Sequence, residues 1–205
     1  MSEISGGASL TLPSVTVGAT GAVDNTITFN PSDEFEEGFF DALGRVTVAF
    51  GRLDYMLMIA LKRLRQTICQ REGQPPRDFN VVIAEDFKTK DFGPRTKRAK
   101  KLFCCVVSDS TQIQAFEKLV AEANQLWNRE RNDNFHAYWT AAHDRTPTRI
   151  RPEKEKGTGI MKWDKSAPVP VATLRAIACH VEDLANELNR ATGEDRLGAA
   201  PPNAP

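Results

Sequence analysis

The chain has no long apolar run. Runs such as Met56–Leu61 have only six residues, where a membrane-spanning helix needs about twenty. The N-terminus carries neither a basic n-region nor an apolar h-region, so no secretory signal is expected. Net charge is absent too: Lys+Arg and Asp+Glu each number 27. That excludes a uniformly basic nucleic-acid coat and a strongly acidic mimic, while leaving room for a local patch. None of the cysteines, Cys69, Cys104, Cys105 and Cys179, falls in a CxxC pair, which points to a reduced, cytoplasmic compartment. Cys104-Cys105 lies in an apolar run and reads as a pair of buried thiols. A Gly-rich phosphate loop and a GxSxG elbow are missing. The spacing of His136, His143 and His180 matches no zinc pattern, so neither a metal site nor a cofactor is expected.

What is present fits one medium domain with tails: 205 residues, of which 40% are apolar and 26% charged. Residues 1–31 contain no Lys or Arg and are rich in Gly, Ser and Thr. They read as an N-terminal arm, disordered or strand-like. Residues 194–205 (EDRLGAAPPNAP) read as a disordered tail. The domain between them, 32–193, has helical periodicity. Acidic residues crowd 33–41, where a helix N-terminus favours negative charge. Leu43, Val46, Phe50, Leu53, Leu57, Leu61, Leu64 and Ile68 then follow in steps of mostly three and four, one apolar face over about seven turns. Gly38, Gly44 and Gly51 interrupt that helix and suggest a kink or close packing. A second helix is expected from about Pro94 to Val107. A third is expected from about Thr111 to His136, and a fourth from about Val171 to Ala191, with Gly193 as its stop. The stretch of about 140–170 contains Trp139, Ile150, Ile160 and Trp163 at its edges and within it; it reads as short strands or a lobe, since a structureless loop of that length is rare inside a domain. The fold class is therefore all-α, a four- to five-helix bundle with a small β-like insertion before the last helix.

Chemistry concentrates at the end of the third helix, in Leu126–Thr140 (LWNRERNDNFHAYWT). Asn132 and His136 are four apart and share a helix face. Arg131 adjoins them, and Tyr138 follows. A guanidinium binds phosphate oxygens in a fork and neutralises developing charge. An imidazole ordinarily titrates at about pH 6.5 and can move a proton, and an amide can orient that imidazole by a hydrogen bond. RNA brings its own nucleophile, the 2′-hydroxyl, so its cleavage needs a base, an acid and a phosphate clamp. One copy of this set supplies half of that requirement; two copies across a two-fold axis supply all of it.

Arg131-Asn-Asp-Asn-Phe-His136 resembles the R-x4-6-H motif of HEPN-domain ribonucleases, including the Asn directly after the Arg. His136-Ala-Tyr138 extends the resemblance to the R-x4-H-x-Y form of HEPN toxins that pair with nucleotidyltransferase antitoxins. The resemblance implies a homodimer with facing motifs that cuts RNA without metal and leaves cyclic phosphate ends, in a toxin–antitoxin or defence role. It implies Arg131 as phosphate clamp, His136 as general base or acid, Asn132 as its orienting partner, and Tyr138 as a cleft residue or nucleotide acceptor. Trp139 and the insertion at about 140–170 are more similar to another HEPN-like group, in which an aromatic follows the motif and a β-hairpin precedes the last helix.

Two other features compete for attention. Lys88–Lys101 holds seven basic residues, Lys88, Lys90, Arg95, Lys97, Arg98, Lys100 and Lys101, against one acidic. It reads as an RNA backbone contact surface. Arg145, Arg149, Arg151, Lys154 and Lys156 are interrupted by acids and read as ordinary surface. A structural account of the motif is also available: Arg129 and Asp133 as an i,i+4 pair on a solvated helix end, in a non-catalytic module that dimerises or binds a partner.

Overall fold

Amphipathic spacing governs the first helix, α1 (Phe39–Arg71). Val46, Phe50, Leu53, Leu57, Leu61 and Leu64 are all buried along one face, and each such side chain contributes roughly 1.5–3 kcal/mol relative to exposure. The computed structural model describes residues 34–74, 91–154 and 161–197, which all belong to one compact unit, Pro31–Pro205. The arm at 1–31, Lys88, Lys90 and the tail beyond Leu197 lie outside the described residues. Gly38 caps α1 at φ 80°, a left-handed conformation that glycine adopts without steric cost. It is therefore a boundary. Gly44 and Gly51 sit inside the helix, and a Cβ on either would meet nothing within 4 Å; close packing within the chain does not explain them.

Helix α2 (Phe92–Val106) starts two residues ahead of Pro94. Proline is tolerated there because first-turn N–H groups have no intrahelical partner. Helix α3 (Ser110–Leu126) is capped by Asp109, whose carboxylate accepts from the N–H groups of Thr111 and Gln112 at 2.7 and 3.1 Å. The chain continues through a π turn (Trp127–Arg131) into a single turn, α4 (Asn132–Phe135). Strands β1 (Tyr138–Ala141), β2 (Pro147–Lys154) and β3 (Met161–Pro168) form an antiparallel sheet in the order β1-β2-β3. Tyr138 lies opposite Ile150, and an irregularity at Thr148/Ile150 interrupts the β2–β3 register. Helix α5 (Val171–Ala191) then returns along α1, and a last turn, α6 (Glu194–Leu197), follows.

The result is an all-α bundle with a small sheet inserted before its last long helix. Helix α1 is central and packs on α5 and α2; α3 bridges α2 and α5. Leu174, Val181 and Leu188 of α5 meet the α1 leucines in one core. Among the described residues no helix is long and apolar enough to cross a membrane. One boundary and one burial pattern differ from expectation. The body runs past residue 193, because Leu197 is buried and its carbonyl accepts from Arg71. Cys104 and Cys105 are exposed, and only Cys69 of the four thiols is buried: α2 turns Phe103 and Val106 inward, which leaves the residues between them outward.

Candidate functional site

The π turn is what the third-helix periodicity did not predict. One extra residue in a turn rotates everything after it by about 100° relative to a continuous α-helix. It resets the partners of the charged residues around the motif. Arg129 pairs with Glu130 at 3.1 Å, in place of the expected i,i+4 contact with Asp133. Asp133 faces Arg149 of β2, whose Nη2 lies 3.7 Å from Oδ2. Arg149 Nη1 lies 3.9 Å from Glu130 and donates to Asn134 Oδ1 at 3.1 Å. Arg149 is only 16% exposed, so this residue of the second basic stretch is a structural cation between two acids, not surface. Asn134, buried, also accepts through its carbonyl from Trp139 Nε1 at 3.3 Å. Together these bonds clamp the motif segment onto the hairpin.

Arg131 is placed by aromatic packing. Its guanidinium carbon lies 4.8 Å from the Trp127 ring centroid and 5.5 Å from that of Phe135. Trp127 in turn stacks on Phe92 at 4.2 Å and meets Phe50 edge-on at 5.9 Å. Phe135 meets Phe50 edge-on at 6.3 Å. A cation over two rings gains about 0.5–2 kcal/mol. Its N–H donors lie in the guanidinium plane, and a ring that holds the cation electrostatically leaves them open to an oxyanion. Glu130 and Asp133 flank Arg131 in sequence, yet both are engaged by other arginines. Among the described residues Arg131 has no ion-pair or hydrogen-bond partner.

His136 ends α4 at φ −106°, ψ 8°, and its N–H bonds the Asn132 carbonyl at 3.1 Å. The backbone thus sets Asn132 and His136 one turn apart, as the spacing implied. Their side chains do not hydrogen-bond each other, so the expected orienting bond is not made. His136 is exposed and Asn132 half-buried. Tyr138 is exposed at the start of β1. The chain therefore gathers a stacked arginine, an amide, an imidazole and a phenol on the segment that joins α4 to the sheet.

The basic stretch fares differently. Arg95 is 4% exposed and its Nη2 lies 2.6 Å from Asp54 on α1. It joins α2 to α1 and is not available to a nucleic acid. Lys100 pairs with Glu117 at 2.9 Å. Lys97, Arg98 and Lys101 remain on the exposed side of α2. Periodicity could have flagged Arg95: it lies on the Phe92, Ala99, Phe103 face. His180 pairs with Glu122 at 2.9 Å across α5 and α3, and among the described residues no three His, Cys, Asp or Glu side chains gather where a metal ion could sit.

Sequence reasoning missed Arg149, Asn134 and the Phe50–Phe92–Trp127–Phe135 cluster. The signal for Arg149 was the pair of acids beside the motif, which need a cation. Comparison with known protein families, curated proteins and solved structures finds no match for this chain.

Proposed function

We propose that the chain is a metal-independent endoribonuclease of the HEPN kind, working as a homodimer on RNA. The observation that carries this reading is Arg131: held over the rings of Trp127 and Phe135, five residues ahead of His136 in the chain, and without an anionic partner among the described residues while its arginine neighbours have theirs. An unneutralised guanidinium held between rings is suited to an incoming phosphate. The 2′-oxygen of RNA attacks phosphorus, and its proton passes to an imidazole acting as base. The bond to the 5′-oxygen breaks, and that oxygen takes a proton from an acid; His136 of a second copy would supply the second role. The products are a 2′,3′-cyclic phosphate and a 5′-hydroxyl. Asn132 would contact substrate and not the imidazole of its own copy. Lys97, Arg98 and Lys101 extend the phosphate-binding surface. A toxin or defence role, with Tyr138 as the target of a nucleotidyltransferase-type antitoxin, belongs to the same reading.

A second reading, a non-catalytic partner-binding module, is favoured by the same stacking, since Arg131 also holds an aromatic cluster together. The two part on one experiment: digestion of a mixed RNA pool in EDTA by wild type, His136→Ala and Arg131→Ala. The ribonuclease reading expects cutting by wild type and its loss in both variants, with His136→Ala leaving the melting temperature unchanged because the side chain is exposed. Intact RNA with wild type, or undiminished cutting by His136→Ala, ends that reading. The binding-module reading expects Arg131→Ala to lower the melting temperature with no RNA cut by any form.

A further inference from the structure

The end of the bundle away from the motif holds a recess with an aromatic floor. Helix α2 supplies Phe103, α3 supplies Phe116 and Leu119, and α5 supplies Ala191. Phe103 and Phe116 are buried and stack with their centroids 4.0 Å apart. The cavity above them measures about 240 Å³. A cavity of about 150 Å³ holds a benzene ring, so this one takes a ring system of about indole size. The motif is remote from it. The aromatic cluster around Arg131 meets α1 at Phe50, whereas Arg63, beside the recess, lies about 20 Å further along that helix.

The rim of the cavity is charged. Arg190, from the last turn of α5, and Arg196, from α6, both line it. Both are exposed, and among the described residues neither side chain has an ion pair or a hydrogen bond. Other arginines at this end are engaged: Arg63 donates to Asn189 at 2.8 Å, and Arg71 to the Val106 carbonyl at 2.6 Å. A cation at the C-terminal end of α5 is favourable by itself. That accounts for Arg190, but not for a second guanidinium brought from α6 to the same aromatic recess. The backbone fixes that second group in place. Leu197 is buried, its carbonyl accepts from Arg71 at 3.4 Å, and the Arg196 N–H bonds the Gly193 carbonyl at 3.0 Å. Among the described residues Glu187 is the acid that lines this cavity, so two guanidinium groups face one carboxylate and leave a single positive charge. Arg190 and Arg196 also line a neighbouring polar recess, which contains Asp195. A dianion would be repelled by both acids, whereas the surplus charge matches a monoanion.

We propose that this cavity binds a small aryl carboxylic acid, with its ring on the Phe103–Phe116 floor and its carboxylate between Arg190 and Arg196. A guanidinium fork matches a carboxylate, and apolar walls with a few placed polar groups are the usual make-up of a small-ligand site. The inference stands apart from the ribonuclease reading, because it is read from binding and not from cleavage. The test is a heteronuclear NMR titration of the full chain with benzoate, 2-naphthoate and indole-3-acetate, each beside its neutral amide, and with phenyl phosphate as a dianion. At least one acid is expected to give saturable shifts confined to amides around 112–119 and 187–197. Its amide and the phosphate are expected to bind at least about tenfold more weakly. The double variant Arg190→Gln/Arg196→Gln is expected to raise Kd for the acid by at least about tenfold, at an unchanged melting temperature because both side chains are exposed and unpartnered. Glu187→Gln is expected to lower Kd. Ala115→Trp, which adds a ring from an exposed residue of the cavity wall, is expected to abolish binding. No saturable shift with any of the acids up to about 10 mM overturns the proposal. So does an amide that binds as tightly as its acid, or an arginine double variant that binds as wild type does.

Discussion

The α1–α5 interface and the junction of α4 with the hairpin are held by opposite means. Between α1 and α5 the contacts are apolar and repeated, with Leu53, Leu57, Leu61, Leu174, Val181 and Leu188 in one core. No single member is unique in kind. At the junction a few polar groups do the holding: Arg149 between Glu130 and Asp133, Asn134 between Arg149 and Trp139. Apolar burial is non-directional and scales with area, so it fixes which faces meet. Hydrogen bonds and ion pairs need particular atoms at particular distances, so they fix the register of the segment that carries Arg131 and His136. The bundle therefore supplies stability, and the junction supplies geometry.

The largest expected effect tests the first half of that contrast. Leu57 is fully buried, and Leu57→Ala should cost about 2–5 kcal/mol through lost burial and a residual cavity. Urea unfolding with an unchanged slope checks it. A loss below about 1 kcal/mol would mean that the α1 core is loosely packed and that the contrast is misdrawn.

Arg149→Ala is the next in size and sharpens the second half. It leaves Glu130 and Asp133, both 14% exposed, near each other with no cation between them, and removes a donor from Asn134. The expected cost is about 1–3 kcal/mol. Hydrogen exchange should accelerate over 131–141 while the α1 and α5 amides slow-exchange as before. Arg149→Lys restores charge but not the planar fork, so it should fall between the two. Equal acceleration in α1 and α5 would show that the junction and the bundle unfold as one unit.

What was legible in the sequence follows the same division. The Leu43–Ile68 periodicity gave α1, and the periodicity over about Val171–Ala191 gave α5, because burial on one helix face writes itself into spacing. The strands at 138–168 were foreseeable as an insertion, since thirty residues without structure would be costly to leave unpaired. The site was legible as residue types and not as contacts. The π turn at Trp127–Arg131 has no composition signature, so the partners of Glu130 and Asp133 could not be counted off along an α-helix. Arg149 lies 15 residues from Asn134, across a hairpin whose register depends on its turn. Arg95 reads as one more basic residue until Asp54, distant in sequence, is brought beneath it.

The smallest expected effect lies at the tip of that hairpin, where the contrast predicts local consequences only. Asp144 Oδ1 accepts from the Thr146 N–H at 3.0 Å, Arg145 takes φ 65°, and the Arg145 carbonyl accepts from Glu36 N–H at 2.8 Å. The backbone hydrogen bond from Thr146, with its hydroxyl adding to it, holds the Asp144 carboxyl below the usual carboxylate range. A carboxylate so depressed stabilises the folded turn while ionised. Its contribution is present above the unfolded pKa of about 3.9 and is lost as pH falls through the lower folded value. Full exposure keeps the effect small. Carboxyl chemical shifts followed by NMR should therefore titrate at lower pH for Asp144 than for an unstructured aspartate. Asp144→Ala should perturb amides at 142–147 and at Glu36 at pH 7, and those differences should fade once the wild-type carboxyl is protonated. Perturbation reaching His136 would instead mean that the tip of the hairpin, and not only Arg149 at its base, sets the geometry of the motif.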